Sequence, residues 1–217
     1  MHEKTGKDMN VIIFGATGGI GHALVVQAVA GGHRVTAFIR AGGQTTDALV
    51  NATIATGDVI DPDAVRDAVK GQDAVLCALG APLSSNADVR ARGTANIVAA
   101  MHAGSVRRLI CVSALGVADS RDMLPWTYKY VLIPLFMRKL YADHALQEQH
   151  ITQSGLDWTI VRPGVLSDGP RTGTYRAGFT SQERPSSPKI SRADVADFMI
   201  RELTANVHLH GYPCLAY

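Results

Sequence analysis

The sequence lacks most features that would tie it to an oxidising compartment, a metal or nucleic acid. Its cysteines, Cys77, Cys111 and Cys214, are odd in number and widely spaced, and no CxxC or Cys/His cluster occurs. This pattern argues against a disulfide framework and against a metal site. The formal net charge is only +2 and no long basic stripe is present, so we expect no nucleic-acid partner.

Long apolar runs are also scarce. The apolar run Val131 to Met137 is too short to cross a bilayer and contains Pro134, so we expect no membrane span. Residues 1–9 are polar and charged and lack the apolar core of a signal peptide. We therefore predict a disordered segment at 1–9, one domain at 10–217 and a reducing, cytoplasmic location.

The most informative stretch is 10–21, which reads Asn-Val-Ile-Ile-Phe-Gly-Ala-Thr-Gly-Gly-Ile-Gly. Its apolar first part is typical of a buried parallel strand, and an apolar helix pattern follows the glycines. In such a strand–turn–helix, Gly15 permits the tight turn, Gly18 lets a pyrophosphate approach the backbone, and Gly21 lets the helix pack on the sheet. The helix N-terminus adds free N–H groups and a partial positive charge. This stretch predicts dinucleotide binding.

The rest of the chain alternates between strand and helix patterns, which is typical of an α/β fold. The predicted strands are 11–14, 33–39, 53–56, 73–79, 107–113 and 157–162, with 173–179 as a further short strand and 212–217 as an edge strand. The predicted helices are 20–30, 61–70, 86–103, 143–153 and 191–203. In helix 86–103, Ala95, Val98, Ala99 and Met101 are predicted to form the inner face, and Asn96 to be a structural hydrogen-bonder.

Three polar residues stand at predicted strand ends, where a ligand would collect. Arg40 follows the second strand, and no carboxylate lies between Phe38 and Gln44 to accept from a ribose. Arginine suits a 2′-phosphate, so we expect NADP(H) to be preferred over NAD(H). Asp58 could accept from an adenine amino group or simply order its turn. Ser113 could donate its hydroxyl to a carbonyl oxygen or serve as a cap.

The interval 121–140 does not fit the alternation. It contains Trp126, Tyr128 and Tyr130 before the apolar run, with basic residues on both sides. A substrate-covering flap, a subunit contact and a membrane-surface patch are all compatible with this pattern. We favour the flap or the subunit contact, because aromatic residues are enriched in both.

Taken together, these segments resemble the atypical short-chain dehydrogenase/reductase family that binds NAD(P)H, and most of all its flavin reductase/biliverdin reductase B-like and NmrA-like members. The resemblance covers nearly the whole chain from Val11 onward. It rests on the glycine turn, Arg40, Gly57-Asp-Val59, Gly71-Gln-Asp-Ala-Val75, Gly93-Thr-Ala-Asn-Ile-Val-Ala-Ala-Met101, Cys111-Val-Ser-Ala114, Asp143-His144, Ser154-Gly-Leu156, Arg162-Pro-Gly164 and Ile190-Ser-Arg-Ala-Asp-Val-Ala196.

The resemblance implies a Rossmann-type doubly wound parallel sheet in one domain, with substrate-side elements at about 115–142 and 163–192. It assigns cofactor contacts to Gly15, Thr17, Gly18, Gly19, Ile20, Gly21, Arg40, Asp58, Val59, Leu79, Gly80, Cys111, Ser113 and Pro163. The implied reaction is hydride transfer from NADPH to a flavin, quinone or similar planar conjugated acceptor, with Ser113 as the candidate catalytic residue. A monomer or a homodimer is expected.

Two departures from the wider group affect the expected chemistry. The Tyr-x-x-x-Lys pair that exchanges a proton with an alcohol or carbonyl is absent, because no tyrosine here is followed by lysine four residues later. Val165 follows Pro163-Gly164 where the biliverdin reductase B type has a histidine, which counts against tetrapyrrole reduction. The alternatives are a non-catalytic NmrA-like redox sensor and, with less support, a sugar-nucleotide epimerase or dehydratase.

Overall fold

A computed structural model of the chain describes residues 8–42, 49–80, 88–180, 182–183 and 187–217. The strands are β1 (Asn10–Phe14), β2 (Arg34–Ile39), β3 (Thr53–Thr56), β4 (Ala74–Cys77), β5 (Arg108–Val112), β6 (Asp157–Pro163), β7 (Val165–Ser167), β8 (Arg176–Ala177), β9 (Lys189–Ser191) and β10 (Cys214–Ala216). The helices are α1 (Gly19–Ala30), α2 (Pro62–Val69), α3 (Val89–Ala103), α4 (Arg138–Thr152) and α5 (Arg192–Ala205). The expected disorder at 1–9 falls mostly outside these residues.

An eight-stranded sheet with the order β3-β2-β1-β4-β5-β6-β10-β8 forms the centre of the fold. All its neighbours pair in parallel except β8, which is antiparallel to β10. The strand order reverses between β1 and β4, and this is where ligands bind in open α/β sheets. The predicted doubly wound parallel sheet is confirmed.

The alternation of side chains along β1 explains why the sheet is covered on both faces. Val11 and Ile13 pack in the core beneath α1 and α5, whereas Ile12 and Phe14 pack in a second core beneath α2, α3 and α4. Each β1 side chain from Val11 to Phe14 is fully buried. Because successive strand residues point to opposite faces, a continuous apolar run is what a strand covered on both sides requires.

The helix starts are set by two kinds of capping. Asp61, the first residue of predicted helix 61–70, accepts hydrogen bonds from the backbone N–H groups of Asp63 and Ala64 at 3.0 and 3.4 Å and so caps α2. The start of α3 is capped from another helix. Asp143 of α4 accepts from the backbone N–H groups of Arg90 and Ala91 at 3.3 and 2.9 Å. This contact couples α3 to α4.

Several expectations need correction. Segment 212–217 is not an edge strand, since β10 lies inside the sheet between β6 and β8. Segment 173–179 contributes only the two residues of β8, and α4 begins five residues before its predicted start. The β7–β9 pair was not predicted, because its three-residue strands carry too little pattern. The predicted start of helix 86–103 lies outside the described residues.

The inner face predicted for α3 is also partly wrong. Its buried residues are Arg90, Ala91, Gly93, Thr94, Ile97, Ala100 and Met101. Ala99 is exposed and Ala95 is only partly buried, so the prediction holds for Met101 and for Val98, which is partly buried but packs against the core. The reason is that buried polar and glycine positions give no hydrophobic periodicity. Asn96 does form a structural hydrogen bond, donating from Nδ2 to the carbonyl of Val59 at 2.9 Å.

The interval between β5 and α4 is helical but irregular. A 3₁₀ helix spans Ala118–Met123, and a π-helix spans Tyr128–Met137 and continues into α4. Within the π-helix only Ile133 is buried, while Leu135 and Phe136 are 70% and 74% exposed. Within the described part of the chain, no helix is long and apolar enough to cross a membrane.

Candidate functional site

The glycine turn lies at the point where β1 and β4 diverge, and two of its glycines are enforced by the backbone around them. Gly15 has a φ of +82°, and a Cβ there would lie 2.3 Å from the carbonyl oxygen of Ala78. A Cβ on Gly21 would lie 2.0 Å from the carbonyl oxygen of Gly15. The turn therefore packs closely against the end of β4, and neither Gly15 nor Gly21 has room for a side chain.

The start of α1 leaves its polar groups available to a ligand. Gly18 is the N-cap residue, no side chain caps the helix, and the first turn has no acidic residue. The N–H groups of this turn have no partner within the helix. Thr17, Gly18 and Gly19 are exposed, whereas Ile20 and Gly21 are buried beneath them. A phosphate group fits this arrangement, because it would receive the free N–H groups and the positive end of the helix dipole.

The predicted adenosine contacts follow β2 and β3, and the predicted ribose and nicotinamide contacts Leu79 and Gly80 follow β4. Arg40 is exposed directly after β2, and it forms no ion pair with any described residue. Asp58 is exposed, and its Oδ1 accepts from the backbone N–H of Ile60 at 3.0 Å, so one of its oxygens orders the turn. Val59 is buried, Leu79 is partly buried and Gly80 is exposed at the end of β4.

At the nicotinamide side, the structure joins Ser113 to two charged residues to which the sequence analysis assigned no role. Ser113 is 4% exposed, and its Oγ donates to Oε1 of Glu148 on α4 at 2.6 Å. Arg162 of β6 donates from Nε to Oε1 of Glu148 at 3.0 Å and from Nη2 to Oε2 at 2.7 Å. The hydroxyl proton of Ser113 is thus committed to a buried carboxylate, and its lone pairs are left to act as acceptors.

Arg162 holds this network together from the core. It is 2% exposed and also pairs with the exposed Asp119, from Nη1 to Oδ1 at 2.7 Å. Its guanidinium lies 4.3 Å from the ring centroid of Tyr212. Burial works against its charge, but Glu148 and Asp119 outweigh burial and raise the pKa of Arg162 above its usual range. The guanidinium is therefore a fixed cation that holds the Glu148 carboxylate in place.

The other groups near this edge are poor proton carriers at neutral pH. Tyr141 donates to the carbonyl of Leu115 at 3.0 Å, and burial raises its pKa. His144 lies one turn before Glu148 on α4, and burial, with a smaller contribution from Arg90, lowers its pKa to about 4. His144 is consequently neutral at pH 7.

The last two predicted contacts are built into the sheet. Cys111 is completely buried, and its Sγ accepts from Nε2 of Gln147 at 3.2 Å. Burial raises the pKa of this thiol well above its usual range, so it remains protonated. Pro163 ends β6, and its carbonyl accepts from the backbone N–H of Leu115 at 2.9 Å. Among the described residues, no group of His, Cys, Asp or Glu side chains could hold a metal ion.

The residues missed by sequence reasoning share one signal. Asp143, His144, Gln147 and Glu148 are polar residues on the buried face of α4, and Arg162 interrupts an apolar strand. Buried polar residues of this kind must find partners, because an unpaired one is costly. A polar helix face beside a polar interruption in a strand could have indicated the network, but not which residues pair.

Comparison with known proteins places this site in a family. A family profile described as NAD(P)H-binding matches residues 15–206. The chain is 34% identical over 203 residues to an uncharacterized sugar epimerase, YhfK, of Bacillus subtilis, covering 90% of this chain and 88% of that protein. It is 30% identical over 190 residues to a 3-diazoavenalumate denitrifying reductase of a Streptomyces species, covering 80% and 61%.

A solved structure shares the fold over almost the whole chain. ChuY, an anaerobillin reductase from Escherichia coli O157:H7, superposes with a TM-score of 0.76 and 24% identity, covering 95% of this chain and 96% of that one. The fold, the glycine turn and the family match agree. The chain belongs to the NAD(P)H-binding family.

Proposed function

We propose that this protein is an NADPH-dependent reductase that transfers a hydride to a planar conjugated acceptor such as a flavin or quinone. Its NAD(P)H-binding oxidoreductase fold and the reductases among its relatives support redox chemistry. The acceptor class and the preference for NADPH are the new parts of the proposal. They rest on the chemistry of the residues around Ser113 and Arg40.

The hydrogen bond that Ser113 donates to Glu148 is the observation that supports this class of acceptor. Its proton is held by a carboxylate that Arg162 keeps paired, while Tyr141 has a raised pKa and His144 a lowered one. Such groups orient a substrate but exchange protons poorly near pH 7. Reduction of a carbonyl to an alcohol needs a proton donor in the site. A reduced flavin or quinone can instead take its proton from water.

In this mechanism the residues act mainly by positioning. Bound NADPH supplies the hydride from its nicotinamide. The lone pairs of Ser113 would accept from an N–H group of the cofactor carboxamide or from an N–H or O–H group of the acceptor, and the hydrogen bond to Glu148 would keep the serine hydroxyl from rotating away. Holding donor and acceptor in contact provides most of the acceleration.

Arg40 supports the cofactor preference by its position after β2 and by its exposed guanidinium, which forms no ion pair with any residue that the structure describes. We expect Arg40→Ala to weaken NADPH binding by roughly 1.5–3 kcal/mol, because a charge-assisted contact with the 2′-phosphate is lost. NADH binding should change little. Titration of both nucleotides against wild type and variant measures this, and equal losses would contradict the assignment.

The proposed reaction is tested by following NADPH absorbance with riboflavin, FMN and a simple quinone as acceptors. Steady consumption that depends on both protein and acceptor would support the reductase. Tryptophan fluorescence in the same samples reports binding, since Trp158 of β6 is buried in the core and Trp126 is exposed. Quenching by NADPH without consumption would contradict the proposed reaction.

The exposed apolar π-helix favours one other function, a redox sensor that binds a partner protein. Leu135 and Phe136 are 70% and 74% exposed. A cluster of exposed apolar side chains is typical of interaction surfaces. A sensor would discriminate NADP⁺ from NADPH in partner binding without consuming either. The same absorbance experiment separates the two functions.

A further inference from the structure

Arg192, the first residue of α5, reaches across to the glycine turn. A Cβ placed on Gly19 would lie 2.5 Å from Cδ of Arg192 and 3.0 Å from its Nε. The side chain therefore lies directly against the exposed first residue of α1. The two helices pack together along their length, and Gln27 of α1 donates to the carbonyl of Ala193 at 2.8 Å.

The electrostatics of this position are unfavourable unless an anion is bound. A cation at a helix N-terminus opposes the helix dipole, and Arg192 stands at the N-terminus of α5 and beside that of α1. Asp194, the acidic residue in the first turn of α5, is fully buried and accepts from Thr172, Gly173 and Tyr217 instead. The guanidinium of Arg192 and the positive end of the α1 dipole therefore lie side by side.

The present counter-ion of Arg192 is weakly held. Asp168 pairs with it from Oδ1 to Nη1 at 2.6 Å, but the aspartate side chain is 95% exposed and the arginine side chain is 33% exposed. Exposed pairs of this kind contribute little stability and are screened by salt. A more highly charged anion on the glycine turn would compete effectively for the guanidinium.

From this arrangement we propose that Arg192 binds the cofactor pyrophosphate from above the glycine turn, exchanging Asp168 for the phosphate oxygens. The inference rests on the proposed NADPH binding and adds a side-chain contact to a site otherwise built from backbone N–H groups. Arg192 reads the pyrophosphate, which NADH and NADPH share, whereas Arg40 reads the 2′-phosphate. The two arginines therefore have separable effects.

The test measures dissociation constants by isothermal titration calorimetry for NADPH, NADH and adenosine 2′-monophosphate. Arg192→Gln should weaken NADPH and NADH equally, on the order of tenfold, because one charge-assisted contact is lost. It should leave adenosine 2′-monophosphate, which has no pyrophosphate, unchanged. Arg192→Lys should lie between wild type and the glutamine variant, since it keeps the charge but not the planar fork.

Asp168→Asn is expected to change dinucleotide affinity in the opposite direction. Removing the competing carboxylate should tighten both dinucleotides by about two- to fivefold at low salt, the scale of an exposed ion pair. A matched control is the exposed pair of Arg66 and Asp63 on α2, at 2.7 Å. Arg66→Gln and Asp63→Asn change the same charges away from the turn and should alter neither constant.

Each outcome bears on a distinct claim. Unchanged binding by a folded Arg192→Gln variant would overturn the inference alone, as would a loss confined to NADPH. Failure of the wild-type protein to bind either dinucleotide would overturn both the inference and the proposed function. A thermal melt of each variant shows whether it is folded, and the Asp168→Asn result stands independently of the arginine variants.

Discussion

Replacing Glu148 by Gln would test whether the buried network around Ser113 is held by charge. The carboxylate receives two hydrogen bonds from Arg162, at 3.0 and 2.7 Å, and one from Ser113 at 2.6 Å. Glutamine has nearly the same shape but no charge, and its amide nitrogen cannot accept from the guanidinium. Among the described residues, the variant leaves Arg162, which is 2% exposed, with only the exposed Asp119 as an anionic partner.

The expected cost follows from the burial of that cation. Breaking a buried ion pair by removing one partner typically destabilises a protein by about 3–5 kcal/mol. Because Asp119 still pairs with Arg162, we expect the lower end, about 3 kcal/mol. For a chain of this size that corresponds to a fall in melting temperature of roughly 6–12 °C.

Urea unfolding at pH 7, followed by the fluorescence of the buried Trp158, measures the free energy of unfolding. Trp158 reports on this region because its ring centroid lies 5.1 Å from that of Tyr212, which in turn stacks on Arg162. Asp119→Asn is the matched control, since it removes the exposed partner of the same arginine. It should cost no more than about 1 kcal/mol. Equal costs for the two variants would refute the reasoning.

Three further predictions concern catalysis, pH and the turn. Ser113→Ala should lower turnover more than it lowers NADPH affinity in paired kinetic and binding assays, and an unchanged turnover would remove Ser113 from the site. His144 has a folded pKa of about 4, below its unfolded value of 6.5, so the unfolded state takes up the proton first as pH falls. The free energy of unfolding should therefore drop by up to roughly 3 kcal/mol between pH 6.5 and pH 4. Urea titrations should show a smaller drop in His144→Asn, but an unchanged drop in a variant of the exposed His102. Gly21→Ala should abolish detectable NADPH binding by calorimetry and cost at least about 1–3 kcal/mol, because its Cβ would lie 2.0 Å from the carbonyl oxygen of Gly15; normal affinity would contradict the close packing of the turn.

Local patterns were sufficient for much of the fold. The apolar run and glycines of 11–21 predicted a strand, a turn and a helix at the place where the structure has β1 and α1. Asp61 and Ser191 were predicted helix starts, and both side chains accept from backbone N–H groups of the first turn. These features depend on residues within one turn of each other, and a sequence displays them directly.

Partners far apart in the chain were not predictable in the same way. The start of α3 is capped by Asp143, more than 50 residues away, and no local signal announces that contact. Likewise, β10 enters the sheet beside β6 although its residues suggested an edge. Such pairings are decided by how the elements pack, which the local pattern leaves open.

The sequence by itself determined the dinucleotide turn, the alternating α/β order and the residues at the strand ends, because steric needs of glycine and the periodicity of apolar residues are local properties. Only the tertiary structure decided what those residues do with one another. In the folded chain Ser113 donates its hydroxyl to Glu148, and the Arg192 side chain lies against Gly19. Packing of the helices on the sheet brings these residues together, and their separation along the chain does not reveal the contact.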